Sequence, residues 1–267
     1  MKWLFLQKDS KGKVIHPEKY IPGTQFSEIQ SLYDFDKSLR SILHNALLEY
    51  ESNLGAEISY RFSEQHPEEH SYLAMDNYSR NSESVASVVG TISSLSNVIK
   101  QKSSKRQDNN AIKHYVNNHG HVPLWVLVNF LTFGDLNYFY HNSKNNLKII
   151  IAKDFSKKYN RSYNTNISVD VDSIEAINHM VNHFRNAVAH GEITYSKSLD
   201  RGPSYKSIKR NLGLSNFDVT SQKEVFELIL SLKLVLNKKD YLTLKKIYLI
   251  LLIPLLTNFN RLNSLLF

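Results

Sequence analysis

Cysteine is absent from the 267 residues. That excludes a disulfide framework, thiolate catalysis and cysteine-ligated zinc, and it agrees with a reducing compartment. Glycine (9) and proline (6) are scarce. Strand-and-turn proteins need both at their corners, so the scarcity favours long helices and few turns. Long apolar runs are also missing. Met1-Lys2-Trp3-Leu4-Phe5-Leu6 turns polar at Gln7-Lys8-Asp9, too soon for a signal peptide. The longest apolar stretch, Ile247 to Leu256, is about ten residues, against the ~20 that span a bilayer. A soluble, cytoplasmic chain with no membrane partner is expected.

Hydrophobic residues make up 42% of the chain and charged ones 22%, enough for a substantial core. The formal net charge is +8. A surplus of that sign attracts polyanions, of which RNA is the commonest inside cells. An AT-rich genome that inflates Lys and Asn would raise the charge too, so charge nominates a partner class and nothing sharper.

No internal repeat stands out. Residues 1–24 read as a short leader or hairpin, with turns at Lys11-Gly12 and Pro22-Gly23, and residues 25–267 as a single all-helical domain. From Phe26 to Ile58 apolar residues recur at steps of three and four, which lines one helix face. Gly55 is a candidate bend, and His66-Pro67 is the stop. A second helix is expected over 84–104, with Val85, Val88, Val89, Ile92, Leu95, Val98 and Ile99 on one face. Its basic end, Lys100 to Arg106, leads into an exposed turn at Asp108-Asn109-Asn110. His114, His119 and His121 read as a loop before Pro123. No carboxylate at ligand spacing beside them argues for a metal. Pro123 opens a helix that Gly134 breaks, and Asp135 can cap a short successor. Residues 146–159 form another helix. Asp172 and Glu175 resemble a capping box at the start of a helix that runs to His190, where Gly191 stops it. Residues 202–218 look irregular, and helices follow at 221–237 and 239–260, the last kinked at Pro254.

The helix ending at His190 carries the chemical signal. At ~100° per residue, Ile174, Ile177, Val181, Phe184 and Val188 fall on one stripe. His179, Asn182, His183, Asn186 and His190 fall on the opposite one. A solvated face normally carries Lys and Glu. Three His and two Asn hydrogen-bond well, and imidazoles can titrate near neutrality. Arg185 lies ~140° around the helix from His190, whereas Asn186 and His190 share a face. Arg-x4-His is a weak pattern alone, since the Arg and His content predicts roughly 0.4 such pairs by chance. Arg61 to His66 matches it too. That copy sits before Pro67, lacks Asn after the Arg and has Glu64 where RNA would approach, and is read as accidental. Asp34 and Asp36 alternate on a helix and read as surface or interface groups rather than a carboxylate pair.

The Arg185-Asn186-Ala187-Val188-Ala189-His190 run, late in an all-helical chain, resembles the signature of HEPN domains. Phe26 to Arg40 and Val122 to Leu136 are similar to blocks of the Abi-like (AbiD/AbiF-type) abortive-infection proteins, a branch of that superfamily. The resemblance implies an all-α, HEPN-type helical bundle with additional helices. It implies a homodimer through the motif helix and metal-independent endoribonuclease activity needing no cofactor, with Arg185, Asn186 and His190 as catalytic residues. It further implies a role in antiviral defence as a toxin restrained by an antitoxin, or association with a small non-coding RNA. Two departures stand out: only about 25 residues precede the first block, and Gly191-Glu192-Ile193-Thr194-Tyr195 rather than basic or aromatic residues follow the His. His179, Asn182, His183, Lys153, Lys157, Lys158, Arg161, Lys206, Lys209 and Arg210 are candidates for RNA contact, each equally compatible with a solvated face. Enzyme and non-catalytic RNA-binding protein both remain open at this point.

Overall fold

The structure, a computed structural model, describes residues 2–80, 84–104, 109–199, 201–215 and 223–258. Helix α1, Phe26–Gln65, has 40 residues and is therefore about 60 Å long. The Glu28 carboxylate accepts the Gln25 N–H at 2.8 Å and fixes its start. The His66 N–H closes on the Phe62 carbonyl at 2.9 Å, and Pro67 prevents another turn. Leu32, Leu39, Leu43, Leu47, Tyr50, Leu54, Ile58 and Phe62 are buried along one stripe. Each such side chain contributes on the order of 1.5–3 kcal/mol. The expected periodicity is thus the observed one, and α1 is the spine against which much of the chain packs.

The leader is a hairpin-like tie. A 3-10 turn at Lys2–Phe5 precedes isolated antiparallel bridges Leu6 to Tyr20 and Lys8 to Val14. Gly12 makes the reversal at φ +76°, a conformation that glycine adopts without steric cost. Leu4 and Phe5 are buried against Leu32. Among the described residues there is no strand, only such bridges. The fold is all-α.

Helix α2 is Val85–Ser104. Val88, Thr91 and Leu95 are its buried residues, whereas Val85 and Val89 are exposed. The apolar face is narrower than its pattern suggests because its neighbours cover only part of it. The turn expected at Asp108-Asn109-Asn110 lies partly outside the described residues. The expected loop around His114 and His119 is instead helix α3, Ala111–His119. The Asn110 side chain accepts the Lys113 N–H at 3.0 Å and caps it, and Gly120 ends it at φ +72°.

Pro123 precedes α4, Leu124–Leu127, which tightens into a 3-10 turn at Val128–Phe130. The break comes at Leu131-Thr132 and not at Gly134. Thr132 caps α5, Phe133–Asn142, and Asp135 is its reciprocal partner. Helix α6 is Asn145–Tyr163 and α7 is Val171–Ala189. A short α8, Lys206–Asn211, interrupts the segment read as irregular. Helices α9, Val225–Leu232, and α10, Lys238–Asn258, complete the bundle. Residues 221–222 and 259–260 of the two expected final helices fall outside the description. No helix among the described residues is long and apolar enough to cross a membrane.

Helix α7 lies among α1, α5, α6, α8 and α9. A polar pair joins α1 to α7 inside this core. The Tyr50 hydroxyl donates to Asn178 Oδ1 at 2.6 Å, both residues being fully buried. Burial drives the Tyr50 phenol well above its ordinary range, so it stays a neutral donor.

Candidate functional site

Helix α7 is framed at both ends. At its start the Asp170 carboxylate accepts the Ser173 N–H at 2.9 Å. The expected Asp172/Glu175 box does not form. Glu175 turns to Lys148 (2.8 Å) and His141 (3.2 Å) instead. Burial pushes its carboxyl up, but those two partners outweigh burial and the net shift is downward. At the other end His190 is the cap and Gly191 has φ +69°. The Glu192 N–H reaches back to the Ala187 carbonyl at 2.9 Å and the Gly191 N–H to that of Val188 at 3.3 Å. This is a Schellman stop, which requires glycine-like backbone at position 191.

Ile174, Ile177, Val181 and Phe184 are fully buried and Val188 partly so. Asn186 and His190 are exposed on the far side. Arg185, part-buried, points toward α1, where its Nε lies 3.2 Å from Glu51 Oε2. Their side chains are 24% and 18% exposed, so the pair sits at the rim of the core with one edge in water. Among the described residues Glu51 is the partner that holds the guanidinium, leaving terminal Nη donors of the fork for a ligand.

The segment after the motif is tied down as well. Asp36, one helical stretch earlier on α1, is fully buried. One of its oxygens accepts the backbone N–H groups of Thr194 (2.8 Å) and Tyr195 (2.9 Å), and the other is paired with Arg40. Arg40 also donates to the Glu192 carbonyl at 3.2 Å. The reading of Asp36 as a surface or interface group is therefore overturned: a carboxylate is buried here because two N–H donors and a guanidinium satisfy it. Asp34 is exposed, as expected.

The polar stripe is not uniformly open. His183, Asn186 and His190 are exposed. His179 packs against His183 with the rings tilted and their centroids 4.7 Å apart, and is covered by Gly202, where an added Cβ would fall 2.3 Å from the ring. Burial, then His183 and Lys223, holds its imidazole below the ordinary value. Asn182 is half-buried, its Oδ1 within 3.7 Å of where a Gly134 Cβ would stand. His179 is thus a covered packing group rather than an open contact.

The basic candidates do not converge on the motif. Lys206, Lys209 and Arg210 lie on α8, which joins the start of α7 through Arg210 to Asp170 and Asn211 Nδ2 to Ser173 Oγ (2.9 Å). That end is about 25–30 Å along the helix from His190. On α6, Lys153 and Arg161 are exposed, Lys157 pairs with Asp154 at 3.4 Å, and Lys158 with Glu57 at 2.5 Å. Glu57 is about 120° around α1 from Glu51, so this group faces another side of the bundle.

The second Arg-x4-His copy is engaged elsewhere. Arg61 is held by Asp154 (2.6 Å) and Glu64 (2.7 Å). His66 packs at a tilt against Phe62, ring centroids 4.8 Å apart. Among the described residues no set of three His, Asp or Glu side chains is arranged to hold a metal ion. Glu51, Asp36 and Asn178 are the residues that the sequence did not single out as structural partners of this site. Glu51 sits one position after the core residue Tyr50, and no local spacing ties it to a residue 134 positions away.

Residues 3–196 match the family described as Abi-like protein. No curated protein and no solved structure matches the chain.

Proposed function

The chain belongs to the Abi-like family of abortive-infection proteins, and from that membership we propose that it is a HEPN-type, AbiD/AbiF-like endoribonuclease toxin that cuts RNA without a metal. The observation that carries the proposal is the end of α7. There an exposed imidazole, an exposed amide and a guanidinium oriented by Glu51 stand on a helix terminus braced on both sides.

RNA brings its own nucleophile. A neutral His190 takes the proton of the 2′-OH as that oxygen bonds to the adjacent phosphorus. The bond from phosphorus to the 5′-oxygen breaks, and a protonated imidazole delivers a proton to that oxygen. The products are a 2′,3′-cyclic phosphate and a 5′-OH. Arg185 stabilises the charge that grows on the phosphoryl oxygens, and Asn186 orients His190 or a phosphate oxygen. One imidazole cannot serve as base and acid together. His183 is seven residues from His190, about 10.5 Å along the axis, too far to serve the same phosphate. The second imidazole in this scheme is the His190 of another copy, in a homodimer joined at the ends of α7. A toxin of this kind needs a restraining antitoxin or regulatory RNA.

Purified protein incubated with total RNA in EDTA tests the proposal. Wild type is expected to cut, and His190→Ala and Arg185→Ala are expected to bind RNA but not cut it. RNA that is bound and left intact by the wild type would assign the chain to a non-catalytic RNA-binding role. Cleavage that vanishes on chelation would refute the metal-free scheme.

A further inference from the structure

A groove of about 380 Å³ runs between α1 and the α4 segment. Glu51, Ser52, Ser59, Trp125, Asn129 and Leu131 are among its lining residues. One contact joins it to the motif helix: Glu51 is the residue that holds Arg185. Trp125 is 58% exposed, although an indole left in water forfeits a large burial gain. Its ring is not loose. Tyr115 packs edge-on against it at 5.8 Å, and the Asn129 amide holds the Trp125 carbonyl at 2.7 Å.

The lining combines one open aromatic face with hydroxyls, an amide and a carboxylate. Glu51 is paired with Arg185 through one carboxylate oxygen, and Ser52 and Asn129 are exposed. A nucleobase presents a π face to stack on the indole and an edge of donors and acceptors that such groups can meet. The groove borders the motif through Glu51, whose carboxylate holds the Arg185 guanidinium that a phosphate attached to the base would meet.

Resting on the RNA-cleaving reading above, we propose that this groove is a subsite for a single unstacked nucleobase of the RNA, stacked on Trp125, next to the phosphate that Arg185 contacts. Ser52, Ser59, Asn129 and Glu51 would then set base preference through its edge.

The two tryptophans are Trp3 and Trp125, so Trp3→Phe leaves Trp125 as the only indole. Titrating that variant with a single-stranded 2′-O-methyl oligonucleotide, which lacks the nucleophile, is expected to quench its fluorescence. An abasic oligonucleotide of equal length is expected to bind without quenching. Trp125→Ala should weaken binding by about 5- to 100-fold and Trp125→Phe by much less, as for loss of one stacked base. Equal quenching by the abasic strand, or no quenching while RNA is bound or cut, would overturn the subsite. A concentration-dependent shift of Trp125 emission without RNA would assign the groove to a second copy of the chain and overturn it as well. Quenching by RNA that the wild type never cuts would retain the subsite and remove the nuclease reading.

Discussion

Replacing Asp36 by Ala removes the brace beneath the motif's trailing segment. Two backbone N–H groups, those of Thr194 and Tyr195, lose their acceptor. Thr194 is fully buried, so water does not replace it. An unsatisfied buried donor costs about 1–3 kcal/mol, and breaking a buried ion pair by deleting one partner costs about 3–5 kcal/mol. The terms overlap, because one carboxylate supplies both, and Arg40 keeps 17% of its side chain in solvent. The expected net loss is about 3–5 kcal/mol. Asp36→Asn retains an oxygen acceptor and loses the charge, so about half of that loss is expected. Urea unfolding followed by near-UV circular dichroism measures both, with an unchanged slope marking an unchanged denatured state. Hydrogen exchange should localise the lesion: the amides of Glu192 to Tyr195 lose protection before those of α10. A loss below about 1 kcal/mol in the Ala variant, or uniform loss of protection, would refute the idea that Asp36 anchors this segment.

Other perturbations are expected to separate packing from chemistry. Tyr50→Phe strands Asn178 Oδ1 in a site where its Nδ2 already has no partner among the described residues. A cost of about 1–3 kcal/mol is expected, and Tyr50→Phe/Asn178→Leu should recover part of it in the same urea assay. Because folding lowers the His179 pKa, the unfolded chain takes up its proton first. Stability should be full above the ordinary value of 6.5 and fall as pH drops through it. Melting temperatures between about pH 7.5 and 5.5 should fall less in His179→Phe than in wild type. Glu51→Gln should change stability by less than about 1 kcal/mol, since the pair is partly exposed. It should lower RNA cleavage by about 10- to 100-fold by releasing the guanidinium, which single-turnover kinetics would show.

Legibility in the sequence followed the range of the interaction. The apolar stripe of α1 and its stop at His66-Pro67 are local, and both appear where the pattern puts them. The Gly191 terminus is also local, since a Schellman turn involves six consecutive residues. Helix α3 is not legible in the pattern because its start is fixed by the Asn110 cap rather than an apolar stripe: only Ile112 is buried in it. Val85 and Val89 show the converse, an apolar pattern that no described residue covers. Asp36 and Glu51 were the least legible. Each acts on a segment more than a hundred residues away, and a carboxylate on a helix looks the same in sequence whether it meets water, a backbone amide or a guanidinium. His179 and His190 share one stripe, yet Gly202 covers the first and leaves the second open. That distinction is set by chain returning from beyond the helix.

In the proposed mechanism the end of α7 directs attack by an RNA 2′-OH. The most direct test is a short RNA whose cut position has been mapped, compared with the same strand carrying 2′-deoxy at that one nucleotide, in EDTA. Cleavage of the first to a 2′,3′-cyclic phosphate and a 5′-OH is expected, and none of the second at that position. Cutting of the deoxy strand at the same bond, or a 5′-phosphate product, would contradict it.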